Sequence, residues 1–342
     1  MSSWTDPYLT ELFRSHTPLI DVRAPVEFED GSLPGAANLP IMNNDERAQV
    51  GTCYKAQGQE EAIDLGHRLV SGEVREGRIR DWVRFIQAHP TAQVYCFRGG
   101  LRSQITCRWL KERGIERAPI AGGYKRMRTF FLSLLQDAPL PALIRIGGLT
   151  GSGKTRVLLK IPRHIDIEGH ASHRGSAFGQ NGKQPSQVTF ENLLAADLLR
   201  DRALPVWVED ESVTLGKLTI PLRFFSSMRE APLAVLKVDL DTRIRNIFED
   251  YIRPSTPEFF FSGIDKIERR LGKSKGQLLK DQITRAYQQP LEARHHAEWV
   301  TTLLTDYYDP FYQKALRNQR GKIVFEGTEA ELLEFASSGL KG

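Results

Sequence analysis

Two hydrophobic rhythms recur along this 342-residue chain: short β-rich apolar runs, and longer segments with an apolar residue every three or four positions. In the first part, runs at 19–22, 93–96 and 118–120 alternate with helical patterns at 80–88, 103–113 and 124–135, which predicts a small parallel α/β unit. The stretch Gln136-Asp137-Ala138-Pro139-Leu140-Pro141 then breaks the pattern with prolines that cannot extend a helix. Beyond it the alternation restarts. Buried strands are predicted at 143–146, 164–167, 206–209 and 233–238, with helices at 154–160, 187–202 and 242–251. A polar helical region covers about 261–318 and a last strand 322–325. The division is therefore a first domain over 1–136, a linker over 137–142 and a second α/β domain over 143–342.

Composition narrows the class. No apolar run approaches the roughly 18 residues of a membrane span, and the N-terminal segment lacks a basic stretch followed by an apolar one. A cytoplasmic location without a membrane partner is expected. The three cysteines, Cys53, Cys96 and Cys107, are too few and too irregularly spaced for a disulfide framework or a four-ligand zinc site, so no structural metal is expected. Forty-seven basic against 42 acidic residues leave a net charge of +5, most of it after residue 140, which permits a polyanionic partner without demanding one.

The most informative stretch of the first domain is Gln93-Val94-Tyr95-Cys96-Phe97-Arg98-Gly99-Gly100-Leu101-Arg102-Ser103. A β-run ends in a cysteine and turns through two glycines into a helix, so backbone N–H groups, the helix N-terminus and the guanidinium groups of Arg98 and Arg102 favour thiolate at Cys96. With Leu19-Ile20-Asp21-Val22-Arg23-Ala24-Pro25-Val26-Glu27-Phe28 and Gly31-Ser32-Leu33-Pro34-Gly35-Ala36-Ala37-Asn38-Leu39-Pro40, this stretch resembles the rhodanese family over most of 1–135. The resemblance implies that Cys96 carries sulfur or selenium as a persulfide or perselenide. Many sulfur-transferring rhodaneses enclose four residues between cysteine and loop arginine, whereas Cys96 to Arg102 encloses five, the C-x5-R ring of cysteine phosphatases, which accepts a tetrahedral oxyanion. A phosphatase is thus a rival reading, weakened by Tyr95 in the place of the usual histidine and by the lack of an evident acid in a mobile loop. Cys53 is either a second thiol for exchange or a packed residue; Cys107, among Ile105 and Trp109, reads as core.

In the second domain, Gly148-Leu149-Thr150-Gly151-Ser152-Gly153-Lys154-Thr155 matches G-x-x-x-x-G-K-[ST] between a β-run and a helix, a P-loop NTPase-like signature. Backbone N–H groups released by the glycines wrap a diphosphate, Lys154 neutralises it, and the Thr155 hydroxyl can ligand Mg²⁺. Acidic partners for metal or water are Glu209, Asp210 and Glu211 after 206–208, with Asp166 and Glu168 competing, unless these carboxylates are simply a solvated strand end. The segment from Asp166 to Gly179 reads as a substrate loop offering His170, His173, Arg174 and Ser176 as donors.

A thiol-carrying rhodanese-like domain fused to a P-loop domain with D-x-E-G-x-x-x-H-R-G-S-x-F-G resembles the bacterial tRNA 2-selenouridine synthase family. Further stretches that carry the resemblance are Met42-Asn43-Asn44-Asp45-Glu46-Arg47, Val50-Gly51-Thr52-Cys53-Tyr54-Lys55, Leu65-Gly66-His67, Gly122-Gly123-Tyr124-Lys125, Phe190-Glu191-Asn192-Leu193-Leu194-Ala195, Glu209-Asp210-Glu211-Ser212 and Tyr307-Tyr308-Asp309-Pro310. The resemblance implies a transferase that S-geranylates wobble 2-thiouridine in tRNA with geranyl diphosphate and then replaces the geranylthio group by selenium from selenophosphate through Cys96. A selenophosphate-supplying enzyme is then a candidate partner. Lys125 and Arg126 in the first domain, and Lys266, Arg269, Arg270 and Lys273 in the helical part, are candidate RNA contacts, against the alternative of solvated helix faces. Phe224, Phe225, Met228, Phe259, Phe260 and Phe261 are candidates for an isoprenoid pocket or for core. A P-loop kinase with an accessory rhodanese is the remaining rival.

Overall fold

A computed structural model of the chain describes residues 4–176, 178–179, 182–199 and 205–338. Its contacts divide it into two compact units, Met1–Pro139 with Pro185–Arg200, and Leu140–Gln184 with Asp201–Gly342. Both are built on parallel sheets flanked by helices, the α/β class that the alternating rhythm predicts.

In the first unit β1 (Leu19–Asp21), β2 (Ala36–Asn38) and β3 (Gln93–Tyr95) form a parallel sheet in the order β2-β1-β3. The strand predicted at 118–120 is reduced to one bridge, Val94 to Pro119, because a proline has no N–H with which to extend a ladder. Ile20, Val22, Val94, Trp82, Trp109 and Leu110 pack together as the core beside the sheet. Four helices of this unit escape the sequence pattern, Pro7–Arg14, Pro25–Asp30, Asn44–Gln57 and Gln59–Leu69. Helix Asn44–Gln57 buries no side chain completely, so it displays no apolar stripe. A capping box starts it: Asn43 Oδ1 accepts from the Glu46 N–H at 2.8 Å while Glu46 accepts from the Asn43 N–H at 2.7 Å.

The helix Gln187–Asp197 groups with this first unit, although the sequence assigns all of 143–342 to the second domain. Its contacts explain the placement. Buried Asn192 donates to the Ser32 carbonyl at 2.7 Å and accepts from Arg128 at 2.8 Å, while Arg128 also pairs with Glu191. Thr189 Oγ1 accepts from the Ser32 N–H at 2.9 Å. The predicted continuation of this helix over 200–202 lies outside the described residues.

The second unit has β4 (Leu143–Gly148), β5 (His164–Ile165), β6 (Val206–Glu209), a short antiparallel pair β7 (Thr214–Leu215) and β8 (Leu218–Thr219), then β9 (Leu233–Leu236) and β10 (Ile323–Gly327). Its main sheet is parallel with order β10-β9-β4-β6-β5, and all six residues of β4 are buried at its centre. That order places the turn after β4 beside the end of β6, where ligands of open α/β sheets collect. The strand predicted at 164–167 ends at Ile165 because Asp166 caps the helix Ile167–Ala171. Helices Pro257–Leu271, Lys273–Tyr287, Ala293–Leu303 and Asp309–Arg317 fill the region predicted as helical. Phe260, Ile264, Leu279, Ile283 and Trp299 form a second apolar cluster there.

Candidate functional site

In the first unit β3 delivers Cys96 into the turn that leads to the helix Leu101–Lys111. Its Sγ is 3.2 Å from Ser103 Oγ and 3.8 Å from the Gly100 carbonyl, and the residue is 3% exposed. A second turn braces the loop from behind, since the Tyr124 and Lys125 N–H groups donate to the carbonyls of Cys96 and Phe97, each at 2.9 Å. Only glycine fits at Gly123, where φ is +54° and a Cβ would lie 2.2 Å from the Cys96 carbonyl oxygen. Below the loop, Arg23 forks onto Asp21, Tyr95 donates to Asp21 at 2.7 Å, and the Arg23 guanidinium lies 3.8 Å from the Tyr124 ring centre.

The two loop arginines take different partners. Arg102 donates to both Glu27 oxygens, at 2.5 and 3.1 Å, so its charge is matched by a carboxylate rather than left to the sulfur. Burial raises the Glu27 pKa, but Arg102, the Ala24 N–H and Arg47 more than offset this and hold it below the ordinary range. Arg98 is exposed and, with Lys125 and Arg126, lines a surface recess of about 540 Å³. Arg126 is tied to Asp6 at 2.7 Å. All three cysteines are free thiols. Cys53 points its Sγ at Gln57 Oε1, 3.5 Å away. Cys107 is core, its thiol pushed up to about 11 by burial, with Arg117 opposing and Cys96 adding to the shift.

In the second unit the loop after β4 runs into the helix Lys154–Leu158. Its carbonyls are tied from outside: buried Arg243 donates to the Thr150 oxygen at 2.8 Å and forks onto Asp309 at 2.6 and 3.0 Å, while Asn246 donates to the Gly151 oxygen at 2.9 Å. Lys154 Nζ folds onto the Gly148 carbonyl at 3.3 Å. Ser152 Oγ is buried and has no hydrogen-bond partner among the described residues, so a phosphate oxygen would satisfy it.

Of the carboxylates nominated by the sequence, one meets the phosphate-loop threonine: Thr155 Oγ1 donates to Glu168 Oε2 at 3.0 Å. Glu209 is buried and accepts from the Ile167 N–H at 3.1 Å; burial first, then Glu168, Asp166 and Glu211, push its pKa well above the ordinary carboxylate range, with the Ile167 hydrogen bond opposing. Asp210 is matched by Arg145 at 2.7 Å and Arg229 at 3.0 Å, and Asp166 caps the Gly169 N–H at 2.7 Å. Glu211 is the partner of Glu168. Burial first, then the Glu168 charge, lifts its pKa to about 8, with Lys154 opposing. Gly175 folds over this pair at φ +59°, where a Cβ would lie 2.3 Å from Glu211 Oε2.

Around the phosphate loop opens a cavity of about 810 Å³. His173, Arg174 and Ser176 of the predicted substrate loop line it; His170 does not. Burial and Lys266 lower the His173 pKa, and Arg174 donates to the Asp250 carbonyl and lies 4.7 Å from the Tyr251 ring centre. The far wall, Tyr307, Tyr308, Phe311, Tyr312 and Arg270, was not nominated as site residues except Arg270; its signal was the Tyr307-Tyr308-Asp309-Pro310 run. A narrow apolar crevice of about 40 Å³, too small for a ten-carbon chain, adjoins the cavity, sharing Thr150, Ser176, Tyr251 and Tyr308 and floored by Phe260, Trp299 and Leu303. Phe260 is thus the one of the six predicted isoprenoid-pocket residues on this wall, whereas Phe224 and Met228 are core. Among the described residues no carboxylate lies in ion-pair range of Lys266, Arg269, Arg270 or Lys273. Nor is any described helix long and apolar enough to cross a membrane.

A sequence profile for the tRNA 2-selenouridine synthase AAA domain matches residues 141–341. Curated relatives match both units. A protein of Marinobacter nauticus named tRNA 2-selenouridine synthase is 41% identical over 98% of this chain and 97% of its own length. Proteins with the same name from Hahella chejuensis and Pseudomonas syringae pv. syringae are 42% identical over 97% and 93%, and 40% identical over 95% and 95%.

Proposed function

This chain belongs to the tRNA 2-selenouridine synthase family, and from that premise we propose that it replaces the sulfur of wobble 2-thiouridine in tRNA by selenium in two steps, one in each unit. The observation that carries the reading is the cavity of about 810 Å³ around the phosphate loop, walled by Tyr251, Tyr307, Tyr308 and Phe311, because a prenyl diphosphate needs a phosphate cradle and an apolar wall that meet.

In the first step Gly148, Gly151, Ser152, Gly153, Lys154 and Thr155 hold the diphosphate of geranyl diphosphate and the aromatic wall of the cavity takes its chain. The C1–O bond breaks, its electron pair leaves with pyrophosphate, the thiocarbonyl sulfur bonds to C1, and N3 releases its proton to solvent. Lys154 stabilises the charge that grows on the leaving group. The Thr155 hydroxyl and Glu168, two hard oxygen groups 3.0 Å apart, fit a Mg²⁺ ion that keeps most of its waters. When bound, it would neutralise further charge on the departing pyrophosphate.

In the second step the selenium of selenophosphate adds to C2, and geranylthiolate leaves and takes a proton from water. A thiolate is a better leaving group than the thiocarbonyl sulfur it came from, which is the chemical reason for alkylating first. Cys96 Sγ then takes the phosphoryl group from selenium, N3 regains a proton, and water cleaves the S–P bond to release phosphate. No oxidant or reductant is consumed. Arg98 is the exposed cation that meets the incoming selenophosphate. Lys125, Arg126, Lys266, Arg269, Arg270 and Lys273 supply phosphate contacts for tRNA, whose binding weakens as salt rises.

The test is mass spectrometry of nucleosides after incubating thiolated tRNA with geranyl diphosphate, then with selenophosphate. S-geranyl-2-thiouridine is expected first and selenouridine second, with Lys154→Ala blocking the first and Cys96→Ser the second. Selenouridine formed at full yield without a geranyl donor would overturn the proposal.

A further inference from the structure

The helices Asn44–Gln57 and Gln59–Leu69 take no part in the chemistry above, yet their packing is peculiar. They lie against each other, the first buries no side chain fully, and the second buries only Ala62. A soluble helix pair ordinarily owes its stability to an apolar stripe pressed into a core. Here the apolar positions face a cavity of about 330 Å³ instead. Val50, Tyr54 and Ile63 line one side, and Leu101, Ile105 and Trp109 of the cysteine-loop helix line the other. Tyr54 and Leu101 remain 58% and 43% exposed at the rim. Three stretches through which the sequence resembles its family, at 42–47, 50–55 and 65–67, contribute Met42, Val50, Tyr54, Gly66 and His67 to this one cavity.

We propose that this cavity receives the geranyl chain of the S-geranylated base while selenium is exchanged at the Cys96 loop. The inference rests on the two-step reading and names the substrate group that the first unit recognises. The cavity lies at the small end of ligand pockets, which span about 300–1,000 Å³, the range for a branched chain of about ten carbons. Its lining holds no carboxylate, and its only titratable or charged residues are Arg102, His67 and Tyr54. Its position ties it to the reaction: Leu101 and Arg102 form the wall and immediately precede Ser103, whose hydroxyl lies 3.2 Å from Cys96 Sγ. A chain seated there holds its sulfur at the first turn of the helix. The departing geranylthiol then has an apolar site, and a base that carries no prenyl group lacks this anchor.

The experiment uses the full-length protein, selenophosphate, and two prepared substrates, tRNA bearing S-geranyl- and tRNA bearing S-methyl-2-thiouridine at the wobble position. The readout is the ratio of their selenation rates at low substrate. A ratio of at least tenfold in favour of geranyl is expected for the wild type. Gly66→Leu fills the cavity, since a Cβ there would meet only Val50 Cγ2 at 3.8 Å; it should bring the ratio close to one while retaining conversion of the S-methyl substrate. Tyr54→Ala, at the open rim where folding is not at stake, should lower the ratio by a smaller factor and decides the matter if Gly66→Leu is inert on both substrates. A wild-type ratio near one, or a ratio that neither variant changes, overturns the inference. Because both substrates are supplied already alkylated, this outcome is separate from a failure of the protein to geranylate tRNA, which would overturn the two-step reading alone.

Discussion

Arg243 offers the sharpest test of how the phosphate loop is held. It is 3% exposed, and its guanidinium joins the Thr150 carbonyl to Asp309 through three hydrogen bonds of 2.6 to 3.0 Å. Arg243→Ala leaves Asp309 without its partner, and breaking a buried ion pair from one side costs about 3–5 kcal/mol. Asp309 keeps some access to the pocket, so the lower end, about 3 kcal/mol, is expected. For a unit of this size that corresponds to a fall in Tm of roughly 6–12 °C. Because the chain has two units, global unfolding is not two-state, and hydrogen exchange followed on peptides covering 143–160 and 240–250 isolates the effect. Asp309→Ala should cost a similar amount. The double variant should cost less than the sum of the two by about 1–3 kcal/mol, since the second truncation removes an already unpaired group. Pyrophosphate binding should weaken in all three, because the loop would have to be ordered on binding. Additive single effects, or a loss below about 1 kcal/mol with unchanged pyrophosphate affinity, would refute the argument that this pair holds the loop.

Two further outcomes can be checked directly. Folded Glu211 keeps its proton up to about pH 8, whereas an unfolded glutamate loses it near 4.5, so its contribution to stability is complete below pH 4.5 and is lost as pH rises toward 8. At about 1.4 kcal/mol per pH unit the full effect approaches about 5 kcal/mol, and access of water to the pocket reduces the expected loss to about 2. Thermal melts in EDTA from pH 5 to 8.5 should show Glu211→Gln losing less stability with pH than the wild type; parallel curves would contradict the assignment. Gly123→Ala drives a Cβ into the Cys96 carbonyl, so selenation of pre-geranylated tRNA should fall at least tenfold while pyrophosphate affinity in the other unit stays unchanged. Wild-type selenation by this variant would show that the brace behind the loop is dispensable.

The two chemical loops were legible in the amino-acid order because each is a local device. A β-run ending in Cys96 before paired glycines, and G-x-x-x-x-G-K-T between a β-run and a helix, specify their turns through residues a few positions apart. The partners of the charged groups were not legible. Arg102 could have faced Cys96, but it meets Glu27, 75 positions away, and Glu168 rather than Glu209 or Asp210 reaches Thr155. The grouping of Gln187–Asp197 with the first unit likewise hangs on Asn192 reaching Ser32, 160 positions away. Helix Asn44–Gln57 gave no periodic signal, since Val50 and Tyr54 are its only large apolar residues and too few to mark a stripe. Backbone turns answer to neighbours along the chain, whereas a buried charge or amide takes whichever group packing brings within hydrogen-bond distance, and only the folded chain decides which that is.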